Sequence, residues 1–345
     1  MGRCEKSAAP ILMPPSRRLS GAVPGLRRPH QPPPGATDVR DAFFQRVPLR
    51  SFPLPALCRE GFRWRHGPAG KVYIRLMIFD THAHYDDHAF DADREAVIRS
   101  LPSFGVEKAV NVGASLRGCR ESIRLSGEYP MVYAAVGIHP DECLSMEESW
   151  IGELRLLAES TEKCVAIGEI GLDYHGFDIY DDKPDKETQK KWFRRQLGLA
   201  AELSLPVIIH SRNACEDTMA IMREARETLG IKDAVIHCFS YSRETAEEFV
   251  KMGYYLGFGG STTYEGQKKI TKVLKAVPME RILLETDCPY LSPVPHRGER
   301  NFSGNLPYVR DRIAEIREIS PEEVERITRE NALRFYRIAE EERTV

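Results

Sequence analysis

Two histidines, His82 and His84, stand one residue apart in Asp80-Thr81-His82-Ala83-His84, directly after the apolar run that starts at Ile78. Side chains alternate along a strand, so both imidazoles face the same side, where they can share one cation. The same composition recurs along the chain. His139 lies in Gly137-Ile138-His139-Pro140, Glu169 in Gly168-Glu169-Ile170-Gly171-Leu172-Asp173, and His210 in His210-Ser211-Arg212. His237 opens His237-Cys238-Phe239-Ser240, and Glu285 and Asp287 flank Thr286. Each group follows a short β-branched, apolar run. Imidazole and carboxylate without thiolate suit Zn²⁺, Mn²⁺, Mg²⁺, Co²⁺ or Fe²⁺. Four histidines, a glutamate and an aspartate are too many for one tetrahedral ion and about right for two. Glu169 is the natural bridge, because each oxygen of a carboxylate can bind a different ion. Two ions about 3.5–4 Å apart clamp the attacking and leaving oxygens of a phosphoryl displacement, and bound cations bring the pKa of water near neutrality. The chemistry such a set supports is hydrolysis.

These residues need elements that bring them to one place. Candidate strands cover Ile78–Asp80, Lys108–Val112, Met131–Gly137, Cys164–Ile170, Pro206–His210, Ala234–His237, Tyr254–Phe258 and Arg281–Glu285. Amphipathic stretches lie between them at about 93–104, 117–128, 147–161, 186–204, 214–228, 243–252 and 266–276, with a closing pair at 307–318 and 321–340. Alternating strands and helices in this number predict a (β/α)8 TIM barrel, whose chemistry sits at the C-terminal strand ends. An open doubly wound sheet would want a glycine-rich phosphate turn after an early strand, and Gly257-Phe258-Gly259-Gly260 comes late with the wrong spacing.

The net charge of −2 over 345 residues conceals an asymmetry. Residues 1–76 hold 14 Lys and Arg against 4 Asp and Glu, leaving 35 against 47 in the rest. An acidic domain does not grip phosphates with a broad basic face, so a nucleic-acid substrate must be held locally, by metal ions and a few arginines. Residues 1–76 are rich in Pro, Arg and Gly without a hydrophobic period, which predicts a disordered extension. A start at Met77, with the upstream stretch an over-extended reading of the gene, is the expectation. The eight cysteines form no Cys-x-x-Cys pair and no apolar run reaches 18 residues, which predicts reduced thiols, a cytoplasmic protein and no membrane partner.

From Met77 to about Ile338 the chain resembles the TatD family of metal-dependent deoxyribonucleases, among the amidohydrolase-like barrels. Phe79-Asp80-Thr81-His82-Ala83-His84, Gly137-Ile138-His139-Pro140, Gly168 to Tyr174, Pro206 to Arg212, His237 to Ser240 and Glu285 to Leu291 carry the likeness. It implies one ion on His82, His84, Glu169 and Asp287 and a second on Glu169, His210 and His237. It also implies catalytic roles for His139, Glu285 and Glu169: His139 at the scissile phosphate or in proton transfer, Glu285 orienting water or protonating a leaving group. Arg212, Arg297 and Arg300 become candidates for holding the nucleic-acid backbone. The chain departs from the family at Asn213, where an acidic residue is common, and in the longer loop Arg300-Asn301-Phe302-Ser303-Gly304-Asn305-Leu306-Pro307.

The expectation is therefore a two-metal hydrolase (Mg²⁺, Mn²⁺ or Zn²⁺) that cleaves DNA phosphodiester bonds, exonucleolytically and as a monomer. Deacylation of D-aminoacyl-tRNA, or another ester or amide hydrolysis on the same barrel, is the alternative. Barrels bridged by a carbamylated lysine are disfavoured by Glu169. A non-enzymatic binding module is disfavoured because a buried ligand set without its cations costs the fold.

Overall fold

The computed structural model describes residues 78–177 and 183–340. The expectations of a disordered 1–76 and a start at Met77 lie outside the described residues. Eight parallel strands run in the order of the chain: β1 Ile78–Ala83, β2 Val106–Val112, β3 Val132–Val136, β4 Cys164–Asp173, β5 Val207–Arg212, β6 Ala234–Ile236, β7 Tyr255–Phe258 and β8 Ile282–Leu284. The helices are α1 Arg94–Ser100, α2 Leu116–Glu128, α3 Glu148–Glu159, α4 Lys186–Leu203, α5 Cys215–Thr228, α6 Arg243–Lys251, α7 Lys268–Ala276, α8 Leu306–Arg317 and α9 Pro321–Tyr336. The sheet curls into the expected (β/α)8 barrel. Its seam is closed beyond the short β8: Ala83 bridges Cys288, His84 N donates to Cys288 O, and Asp287 N donates to His82 O. Among the described residues no helix is long and apolar enough to cross a membrane.

Strands of a parallel barrel are covered on both faces, which is why β1 and β4 are buried from end to end. Inward side chains Phe79, Val110, Val112, Val165, Ile208, Val235, Tyr255 and Leu283 fill the barrel, and Leu333, Phe335 and Tyr336 of α9 pack on them. Outward side chains such as Ile167, Val207, Ile209, Ile236 and Leu284 meet the helices. Ser115, Asp185, Ser242 and Ser320 each cap a helix by accepting a backbone N–H from its first turn. With its lower half filled by apolar side chains, the barrel leaves its C-terminal mouth for polar groups.

Two features set the site's geometry. β4 runs three residues beyond the expected end at Ile170, pairing Gly171, Leu172 and Asp173 with His210, Ser211 and Arg212. That pairing requires Gly171, whose φ is +147° and where a Cβ would stand 2.0 Å from the His210 carbonyl oxygen. Gly171→Ala should cost on the order of 2 kcal/mol, lowering Tm by about 5 °C or more. Gly152, on the exposed face of α3 with nothing within 4 Å of its Cβ position, is the control. Gly152→Ala should raise Tm slightly through helix propensity. Thermal unfolding of both variants checks the pair; equal melting would contradict the close β4–β5 approach.

Candidate metal centre

The end of β1 is held by a buried carboxylate. Asp80 accepts hydrogen bonds from the hydroxyls of Thr286 and Ser303, both at 2.6 Å, and from the backbone N–H groups of Thr286 and His82. Burial pushes Asp80 up to about 7 against the lowering effect of those bonds from Ser303 and Thr286. Thr286 thus ties the β8 extension to β1 behind the histidine pair. On the other side of the pair, His84 Nδ1 is 2.8 Å from the Val112 carbonyl, which turns its Nε2 to within 3.0 Å of His82 Nε2.

Glu169, brought in by β4 and buried, meets five imidazoles with its two oxygens facing different sets. Oε2 lies 3.5 Å from His82 Nε2 and 3.7 Å from His84 Nε2. Oε1 lies 2.7 Å from His210 Nδ1, 3.0 Å from His237 Nε2 and 3.9 Å from His139 Nε2. Asp287, in a left-handed turn after β8, adds a carboxylate oxygen 3.3 Å from His84 Nε2 and 3.8 Å from His82 Nε2. The donor atoms therefore fall into two groups on either side of one carboxylate: His82, His84 and Asp287 with Oε2, and His210 and His237 with Oε1. Their separations leave room for cations between donors and carboxylates, and all are nitrogen or carboxylate oxygen, so the set fits divalent ions.

The electrostatics point the same way. Burial opposes charge on His84, but the Asp287 hydrogen bond and the charges of Asp287 and Glu169 outweigh it and raise His84 to about 9. For His210 burial is likewise outweighed, by the hydrogen bonds to Asp173 and Glu169, again to about 9. His237 is driven well above its ordinary value because Glu169 and Glu285 overcome its burial. Glu169 itself is held well below the usual carboxylate range, burial being overcome by the charge of His237 and the hydrogen bonds to His210 and His237. Without cations the carboxylates thus retain protons on His84, His210 and His237, which cations would replace, whereas burial and the charge of His237 push His82 down. His139 behaves oppositely: burial and the charge on His210 push it down to about 4, so it is a neutral imidazole. Its Nδ1 accepts the Asp141 N–H, which places its own proton on Nε2.

The remaining candidates divide. Arg212 ends β5, paired in register with Asp173 at the mouth. Arg297 is exposed, with its guanidinium 4.5 Å from the centre of the Tyr264 ring. Arg300 is engaged within the domain. It makes a two-point contact with Asp93 at 2.8 and 2.7 Å, donates to the Ala89 carbonyl and lies over Phe90, pinning the loop after β8 to the segment before α1. Glu285 is also not at the mouth. β8 ends before it, and its buried carboxylate accepts the Cys238 N–H and lies 3.4 Å from His237 Nδ1, behind the ligand histidines. The long Arg300–Pro307 loop is likewise no rim: its Asn301, Ser303 and Asn305 are buried, and Ser303 completes the cradle of Asp80.

One residue of the site lies outside the predicted set. Asp173 accepts from His210 Nε2 at 3.1 Å and is paired at 3.0 Å with the buried Lys183, which also reaches Asp141. Its signal was present in the alternation Glu169, Gly171, Asp173, which faces one side if the strand continues past Ile170.

Comparison with known proteins agrees with this geometry. The family described as TatD related DNase matches residues 79–337. The metal-dependent hydrolase YabD of Bacillus subtilis is 44% identical over 266 residues, covering 76% of this chain and 100% of that protein. The metal-dependent hydrolase YcfH of Escherichia coli is 33% identical over 267 residues, covering 76% and 97%. The crystal structure of YJJV, a TatD homolog from Escherichia coli, superimposes with a TM-score of 0.71 at 29% identity, covering 77% of this chain and 100% of that one.

The raised histidines give a pH dependence with a definite sign. A folded-state pKa near 9 against an ordinary 6.5 means that His84 and His210 stabilise the metal-free protein fully below pH 6.5 and lose that contribution as pH rises to about 9. Cations bind only the deprotonated rings, so metal affinity climbs over the same interval. Tm of the chelator-treated protein should fall between pH 6.5 and 9 while Zn²⁺ affinity rises. A Tm that is flat across that window would contradict protonated ligand histidines.

Proposed function

Since the chain belongs to the TatD-related DNase family and is a metal-dependent hydrolase, we propose that its reaction is the hydrolysis of DNA phosphodiester bonds at a centre of two divalent cations. The observation that supports this reading best is the division of donors across Glu169: Oε2 with His82, His84 and Asp287, Oε1 with His210 and His237. Bound divalent cations supply Lewis acidity toward a phosphate oxygen and make water a nucleophile near neutral pH. The residues do the rest. Glu169 would hold both cations, one through each oxygen, and keeps the two groups in register. His139, neutral with its proton on Nε2 and 3.9 Å from Glu169 Oε1, faces the centre as a hydrogen-bond donor to a phosphate oxygen or as the carrier of a proton. Arg212 and the exposed Arg297 supply local positive charge in a domain that is otherwise acidic. Resemblance to the family supports attack from a chain end. We assign the protein to the cytoplasm, an assignment supported by the six free cysteines of the described residues, and take it to act as a monomer.

The test is hydrolysis of end-labelled single-stranded DNA, double-stranded DNA and charged D-aminoacyl-tRNA with Mg²⁺, Mn²⁺ or Zn²⁺. DNA should be cut, and Glu169→Ala should abolish cutting and lower metal content. Turnover of D-aminoacyl-tRNA alone would replace this reading with a deacylase. His139→Ala should retain metal and lose about 10²–10⁴-fold in kcat; loss of metal in that variant would make His139 a ligand instead.

A further inference from the structure

Ligand imidazoles in metal sites donate their other N–H to an acceptor that fixes the ring. The four ligand histidines can be checked one by one. His84 has the Val112 carbonyl at 2.8 Å, and His210 has the Asp173 carboxylate at 3.1 Å. For the other two, His82 Nδ1 and His237 Nδ1 are fully buried without a hydrogen-bond partner. A third buried polar atom without a partner completes the set, and it is an acceptor: Glu285 Oε2. His82, His237 and Glu285 each offer an atom within 4.8 Å of the others.

The arrangement is a sandwich. The His82 and His237 rings stack with centroids 4.0 Å apart and planes 17° from parallel. Both turn Nε2 toward Glu169, so both turn Nδ1 away from it, deeper into the barrel. Glu285 waits on that side, 3.4 Å from His237 Nδ1 and 1% exposed. Its carboxylate is itself aimed. Oε1 accepts the N–H of Cys238, and the space is made by Gly257, where a Cβ would lie 2.1 Å from Oε2. Oε1, anchored by Cys238, lies 3.4 Å from His237 Nδ1, and the buried Oε2 has no partner, so the carboxylate can take His237 on one oxygen and a second donor on the other. We infer that Glu285 is the shared positioning residue of the metal centre: it accepts the Nδ1–H of His237 directly and that of His82 through one bridging water, and so points the Nε2 of one ligand from each half at its ion. This inference rests on the metal-centre reading of the site, not on the identity of the substrate.

Its test uses Glu285→Gln. A glutamine oxygen in the place of Oε1 can still accept from Cys238, but it is a neutral and weaker acceptor for His237 Nδ1–H, and its NH₂ in the place of Oε2 cannot accept from a water that bridges to His82. Two readouts are taken on full-length protein labelled with ¹⁵N-histidine, with no nucleic acid present: Zn²⁺ affinity by chelator competition, and the imidazole N–H resonances of the Zn²⁺-saturated form. In the unaltered protein His237 should carry its proton on Nδ1 and exchange it slowly. In Glu285→Gln that resonance should be lost and Zn²⁺ bound about 10–100-fold more weakly, with an unchanged far-UV circular dichroism spectrum. Unaltered affinity with the resonance retained would overturn the inference. So would a His237 protonated on Nε2 in the unaltered protein, a result that holds even where the variant fails to fold. A protein that binds Zn²⁺ as described but cuts no DNA would defeat the proposed function and leave this inference standing.

Discussion

A single buried carboxylate organises the upper half of the barrel. Glu169 lies within 4 Å of His82, His84, His139, His210 and His237, contributed by four other strand ends or the loops that follow them. An ionised carboxylate taken out of water is tolerated only where positive charge surrounds it. Here that charge is supplied by imidazolium rings or by cations, and the two compete for the same lone pairs. The cluster is therefore costly without compensating charge, and cations bound there would relieve the burial of Glu169 and Asp287 together. The same competition makes metal affinity and proton binding two views of one equilibrium.

Around this hub the barrel is wired so that strand ends cannot drift. Asp80 joins β1 to the turn after β8 through Thr286, and to the loop before α8 through Ser303. Arg300 anchors that loop to Asp93, and Asp173 joins β4 to His210 of β5 and to Lys183. Each link is a carboxylate held by several donors, which raises the cost of rotating any one side chain. A metal centre needs its ligands fixed before the ions arrive, because ordering them afterwards would subtract from affinity.

Much of this was legible in the sequence, for a physical reason. A barrel's apolar strand runs and its polar strand ends are both local signals, so the architecture and the positions of His82, His84, Glu169, His210, His237 and Asp287 could be read from runs of a few residues. What stayed hidden depends on partners far away in the chain. Nothing near Arg300 distinguishes a phosphate contact from its bond to Asp93, 207 residues earlier. Asp80 was visible only as part of a motif, since Thr286 and Ser303, 206 and 223 residues away, give it its task. The spacing of Glu285 and Asp287 would put them on one face of a continuing strand, but β8 stops at Leu284 and the chain turns between them. Asp173 was missed because an apolar run marks where a strand is well buried, not where its pairing ends. Pairing is irregular between Asp80 and Ala83 and between Ile167 and Ile170, and those breaks, which no local run of residues announces, fall just where His82 and Glu169 turn into the site.

On the proposed reading, Glu169 separates two cation positions. Anomalous diffraction from crystals equilibrated with Mn²⁺ or Zn²⁺ tests it most directly. Two peaks about 3.5–4 Å apart, one between Glu169 Oε2, His82, His84 and Asp287 and the other between Oε1, His210 and His237, are the expected result. A single peak under saturating metal, or peaks that Glu169 does not touch, would contradict it.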